Sequence, residues 1–267
     1  MKFFHYDKTL SIMKTPQGTM TLSRIFVPFF TEMLLLNMMG TINTLMLSHY
    51  SDDAVAAVGS ATQLLGMILT FYTVIGTGAS IVINHNLGAE NTEKASDAAF
   101  TSILLCGTLS LVLGTTLSLA ARPLLGLMHL EGQVLDYAVT YFRIAVQFSF
   151  FQAVTSSVSG IFRSYGKPKI SVCVSLTMNC MNAALDYLIT FRPVELPLSG
   201  VSGIAAAYVC SQLFGLLLIL TFLRKIPLGL NFRKKGPASL KIVTTMLKVG
   251  IPGGVSTISY NLSQVVS

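Results

Sequence analysis

Charged side chains are scarce in this chain of 267 residues. They make up 11% of it, against roughly 25% in ordinary soluble domains. A soluble protein of this length needs far more charge to cover its surface. The shortage, with a mean hydropathy of +0.67, points to a lipid solvent. Catalytic chemistry is also thin: no nucleophile–base pair, phosphate loop or metal cluster stands outside the apolar runs, which argues against an enzyme and against a cofactor. Cys106, Cys173, Cys180 and Cys210 all fall inside those runs without metal-ligand spacing and read as small packing residues. His5, His49, His85 and His129 are scattered near run ends and read as interfacial.

What is present is length without charge. Residues 25–51 are interrupted only by Glu32, and 54–89 and 98–121 carry no charge. Residues 137–162 hold only Arg143 and 170–191 only Asp186, while 196–223 and 249–267 are clean. A membrane helix needs about 20 mostly apolar residues, so seven spans are expected. Within a bilayer each backbone polar group must be satisfied inside its own segment, which makes them helices. The expected fold is an all-α, polytopic membrane bundle.

The net charge of +7 raises the question of a polyanionic partner, and its distribution answers it. With the N-terminus inside, fifteen of the 18 basic residues fall on inner segments, and Arg122 and Arg192 alone lie in outer loops. That is the positive-inside rule, and it implies no nucleic acid. The "NFRKKG" cluster is suited to anionic head groups of the bilayer.

The connections use helix-ending chemistry. In "HNLGAENTEKA", Gly88 is expected to close one helix in a left-handed conformation, and Asn91 to cap the next with Glu93 in its first turn. In "RSYGKPKIS", Gly166 closes a helix and Pro168 opens another. The chain then divides into a cytoplasmic tail (1–21), a six-helix lobe (22–223), a basic cytoplasmic loop (224–241) and the first helix of a further lobe (242–267). "RIFVPFFTEMLLLN" and "KVGIPGGVSTISYN" share a basic residue, a proline and an asparagine at matching places, with Pro28 and Pro252 224 residues apart. Chance or duplication explains the match. Under duplication, the chain is a lobe plus a seventh helix, half of a pseudo-symmetric twelve-helix transporter.

Polar residues inside the spans fall on stripes. Ser175, Asn179, Asn182 and Asp186 share one helical face. Glu32 and Asn43, three turns apart, share another. Asn43 lies 19 residues beyond Arg24 and Asp186 17 beyond Lys169, so both are expected at one level in the outer half of the membrane. Gln63, Thr70, Thr73, Thr77, Ser80 and Asn84 form a third stripe; Gln152, Ser156, Ser159 and Arg163 a fourth. Rows of hydroxyls and amides serve helix packing or line a cavity; both readings stand. A carboxylate differs, because a charge at the bilayer centre costs at least about 2.5–3.5 kcal/mol. Asp186 is therefore expected at a wet cavity, loading and unloading a proton, or holding Na⁺ with the oxygen of Asn182. Glu32 divides between that role and a structural pairing.

These residues resemble the multidrug and toxic compound extrusion (MATE) family of cation-coupled antiporters. The resemblance runs from about Leu22 to the end. It is carried by "TINTLMLSHYSDDAVAAVG", "GTGASIVINHNLGAENTEKA", "GIFRSYGKPK", "NCMNAALDYLI", "GVSGIAAAYV" and "LKVGIPGG", in the family's order. It implies twelve helices in two lobes around a cleft, in the plasma (inner) membrane, and export of small organic, often cationic and amphipathic, compounds in exchange for H⁺ or Na⁺. Asn182 and Asp186 match the family's fifth-helix Asn-x-x-x-Asp, part of its first-lobe cation site. Asn43 falls where many members have a first-helix aspartate, and Tyr208 where some have a sixth-helix threonine. The resemblance also implies a partner, the second lobe. Two alternatives remain: a flippase for lipids or lipid-linked saccharides, which calls for a cavity rich in Arg and Lys, and a truncated product without transport of its own.

Overall fold

The computed structural model describes residues 12–15, 18–21, 27, 30, 31, 34, 44–48, 51–191, 200–226 and 242–252. Within the N-terminal tail, β1 (Ile12–Thr15) and β2 (Gly18–Thr21) form an antiparallel hairpin with Ile12 opposite Thr21, a small departure from an otherwise helical fold. The helices are α1 (Asp52–Gly88), α2 (Thr92–Leu119), α3 (Ala121–Gly126), α4 (Gly132–Gln147), α5 (Ser149–Ser164), α6 (Pro168–Phe191) and α7 (Val201–Lys225). A further helix, α8, covers Ile242–Pro252.

Among the described residues, α1, α2, α6 and α7 are each long and apolar enough to cross a membrane. They are the second, third, fifth and sixth expected spans. The first and last spans lie largely outside the described residues. The fourth departs from expectation. It is not one straight helix but the pair α4–α5, bent by 47° at Phe148. No proline marks the break, and an uncharged run conceals it. The bend is held by neighbours: Gly114 of α2 comes so near that a Cβ there would stand 2.7 Å from the Val146 carbonyl oxygen, and the Tyr72 and Ser149 hydroxyls share a hydrogen bond of 3.2 Å.

The helix junctions follow local chemistry, with one correction. Asn91 caps α2, its Oδ1 accepting from the Lys94 amide at 3.1 Å. Gly166 takes the left-handed conformation at φ 72°, and Pro168 opens α6. Gly88, however, stays inside α1, and the left-handed residue of that turn is Glu90 at φ 58°. The helix simply runs two residues further than a glycine stop suggests.

The outer surface carries many large apolar side chains, unlike that of a protein in water. On α6, Asn182 and Asp186 are buried while Leu176, Tyr187 and Phe191 are exposed. Leu111, Val112 and Leu217 on α2 and α7 likewise face outward. A chain whose solvent is hydrocarbon turns its polar groups to each other. Between helices the attraction then comes from close packing and small polar groups. The Ser102–Ser157 hydroxyl pair at 2.7 Å, joining α2 to α5, is one such contact. At the crossing of α1 and α8, two glycines let the backbones touch: a Cβ on Gly78 would overlap the Met246 carbonyl oxygen, and one on Gly250 the Val74 carbonyl oxygen. Arg122 and Asp136 pair at 3.4 Å with both side chains well exposed, a contact of little energetic weight.

Candidate functional site

The site begins with the inward face of α6. Val174, Met178, Asn182 and Asp186 are buried along it, with Ser175 and Asn179 partly so, as their 3- and 4-residue spacing dictates. Ser171 anchors the helix by donating its hydroxyl to the Ser159 carbonyl of α5 at 3.1 Å. Asp186 is 2% exposed, and neither carboxylate oxygen has a hydrogen-bond partner among the described residues. No salt bridge to it occurs among them either.

Around the acid stand three tyrosine- and amide-bearing helices. Tyr141 of α4 is buried within electrostatic range of Asp186. The rings of Tyr141 and Tyr208 lie 6.5 Å apart at 44°. The Tyr208 hydroxyl on α7 donates to Oε1 of Gln152 on α5. Tyr208 thus links the Tyr141 ring to Gln152.

Gln152 and Gln212 line a cavity of about 470 Å³. Thr73, Gly76, Thr77, Ser80 and Ile81 of α1 line one side; Gln152, Thr155, Ser156, Ser159, Gly160 and Arg163 of α5 another. Ser175 and Met178 of α6 and Gln212 of α7 complete it. Asp186 is not on this wall. It is eleven residues beyond Ser175 on α6, about 16 Å along the axis. The acid and the cavity are two layers of one polar interior.

The stripes expected from sequence therefore divide. Thr73, Thr77, Ser175 and Gln152 line the cavity, with Ser80, Ser156, Ser159 and Arg163. Gln63, Thr70 and Asn179 lie outside its lining; Thr70 returns its hydroxyl to the Gly66 carbonyl at 2.9 Å. Glu32 and Asn43 lie outside the described residues. Three participants escaped the sequence reading. Tyr141 stands before the α4–α5 break, so helical periodicity does not join it to the expected Gln152 stripe. Thr155 sits among other hydroxyls in the "QAVTSSVSG" run, off the spacing that joins Gln152, Ser156 and Ser159. Gln212 was within reach: it follows Tyr208 by four residues and shares its face.

Comparison with known proteins agrees with this architecture. The MatE family model matches residues 28–188. The chain is 32% identical to the uncharacterized transporter YisQ of Bacillus subtilis (strain 168), over 97% of this chain and 57% of that protein. It is 28% identical to the probable multidrug resistance protein YoeA of the same organism, over 80% of this chain and 47% of that one. In structure it resembles an outward-facing multidrug resistance MATE family transporter of the MOP superfamily. The TM-score is 0.82 at 23% identity, covering 90% of this chain and 53% of the other. The chain spans about half the length of the curated relatives it matches.

Proposed function

The chain belongs to the MatE family, and from that premise we propose that it serves as the first lobe of a cation-coupled antiporter that exports organic compounds. The observation that carries this reading is Asp186, an acid 2% exposed, without hydrogen-bond or ion-pair partner among the described residues, at one end of a polar layer that leads to a cavity. A bare carboxylate in such a place is costly. It becomes tolerable when it binds a proton, or Na⁺ with help from the Asn182 oxygen. Loading and unloading that ion biases two packings of the helices, and an ion shifts such an equilibrium only by its different affinity for the two.

In this mechanism the exported compound, small, organic and in the first instance cationic and amphipathic, occupies the cavity between α1, α5, α6 and α7. The second six-helix lobe supplies the opposite wall, and the ion site and cavity fill alternately. The membrane implied by the family is the plasma (inner) membrane, and the basic-residue bias supports a cytoplasmic N-terminus. A flippase for lipid-linked saccharides calls for a wall rich in Arg and Lys. Among the described residues, Arg163 is the single basic residue lining this cavity, which supports the exporter instead.

The test is gradient-driven efflux. Proteoliposomes holding the full-length protein and loaded with ethidium are given an inward gradient of H⁺ in one trial and Na⁺ in another. Efflux above that of protein-free vesicles is expected with one of the two ions. Efflux indifferent to both gradients contradicts coupling, and transport of a fluorescent lipid in place of ethidium favours the flippase. The same assay on this chain alone decides whether it moves anything without a second lobe.

A further inference from the structure

The cavity has a charged end far from Asp186. Arg163 lies in the last turn of α5, and one turn before it the Ser159 carbonyl accepts from Ser171 of α6. Ser171 stands fifteen residues before Asp186 in the sequence, about 22 Å along the axis of α6. The guanidinium and the acid therefore occupy opposite ends of the polar interior. Among the described residues lining the cavity, Arg163 is the only charged one.

Gly160 leaves room at that end. A Cβ on it would stand 3.2 Å from Ser80 Oγ and 4.0 Å from Arg163 Nη2, so a hydroxyl of α1 and the guanidinium of α5 converge on the space the glycine leaves open. The Gly76 carbonyl oxygen is also 4.0 Å from that point, but it belongs to the α1 ladder and is engaged there. Ser80 is half-buried on the cavity wall, and its hydroxyl makes no hydrogen bond among the described residues. Thr73, two turns earlier, instead returns its proton to the Thr70 carbonyl at 2.8 Å. A guanidinium carries five N–H donors in a planar fork, enough to keep a partner within the protein and still give two to a carboxylate. A cation and a hydroxyl aimed at one gap, with no acid among the described lining residues, favour a negative group there.

We propose that the space over Gly160, between Arg163 and Ser80, is a carboxylate subsite, so that the organic compounds this cavity holds best carry a carboxylate on an apolar body. The carboxylate accepts from the Arg163 fork and from the Ser80 hydroxyl. This rests on the cavity being the place where the exported compound binds. It narrows the class from amphipathic organics to those with an acidic group, whether or not the same molecule also bears a positive charge. Gly160 is then a specificity residue, because a side chain there fills the gap that the carboxylate enters.

The test is equilibrium binding of rhodamine B and of its methyl ester to the purified full-length protein, read by fluorescence anisotropy. The two share one cationic body and differ in whether the carboxylate is free. Rhodamine B is expected to bind about tenfold more tightly or better, as a charge-assisted hydrogen bond implies. Arg163→Gln is expected to erase that preference while the affinity for the ester holds within about twofold, which shows that the variant is folded. Ser80→Ala removes one donor and should erase part of the preference, which decides the matter if Arg163→Gln does not fold. Equal affinity for the two dyes, tighter binding of the ester, binding of neither, or a preference intact in a folded variant overturns the inference. Short-chain phosphatidylglycerol at the same concentration should leave rhodamine B bound; displacement gives the subsite to a lipid head group and overturns the substrate class. Ethidium efflux by the same preparation is scored separately. Export without a carboxylate preference sinks the subsite alone, and the preference without export keeps the subsite and sinks the exporter.

Discussion

Asp186→Asn in the full-length protein is expected to abolish ion-driven efflux, to the level of protein-free vesicles, while the protein still reaches the membrane. The substitution keeps the shape of the side chain and removes its capacity to take up a proton or to neutralise a bound cation. Because the carboxylate oxygens have no hydrogen-bond partner among the described residues, no visible hydrogen bond to them is lost. Removing an unpaired buried charge also removes the cost of keeping it out of water. The thermal midpoint of the variant should therefore hold or rise as transport vanishes. That opposite movement of stability and activity marks a residue kept for function. Gradient-driven ethidium efflux paired with a thermal melt reads both. A variant that transports normally removes Asp186 from the mechanism, and one that melts early and fails to fold gives the acid a structural task.

Gly78→Val is expected to have the largest effect on structure. The crossing of α1 and α8 brings backbone against backbone, with Gly78 and Gly250 facing one another and Met246 at 0% exposure beside them. A side chain on Gly78 meets the Met246 carbonyl, which belongs to a helix and cannot rotate aside as a flexible side chain does. Overpacking of this kind costs about 1–3 kcal/mol even in adaptable cores, and here the obstacle is rigid. In a bilayer nothing compensates, because small residues and close approach are themselves what hold helices together. The full-length variant should melt several degrees below the wild type, and Gly78→Ala should fall between them. A melting point unchanged by valine would mean that α8 does not pack on α1 in this way.

Much of the architecture was legible because a membrane simplifies the code. Uncharged runs marked α1, α2, α6 and α7, since the bilayer demands length and internally satisfied backbones. The face of α6 that carries Asn182 and Asp186 followed from spacing alone, as did the Asn91 cap and the Gly166–Pro168 turn. What stayed hidden was set by neighbours. The break at Phe148 depends on Gly114 and Tyr72, which are remote in sequence and carry no local signal. The left-handed residue fell on Glu90 rather than Gly88 because α1 runs on through Gly88. The row Tyr141–Tyr208–Gln152 joins three helices, and no periodicity within one span reveals where another span's side chain arrives. The hydroxyl stripes divided for the same reason: Thr73 and Thr77 meet a gap between helices, whereas Thr70, one turn earlier, is buried and bonds to its own backbone.

The account depends on exchange between an ion at Asp186 and an organic compound in the cavity, and ion release on substrate binding measures it most directly. When ethidium is added to the purified full-length protein in weak buffer, on the order of one H⁺ or Na⁺ per protein should appear in solution, because competing ligands are thermodynamically linked. With Asp186→Asn none should appear. Ethidium binding that releases no ion from the wild type, or an equal release from the variant, would contradict it.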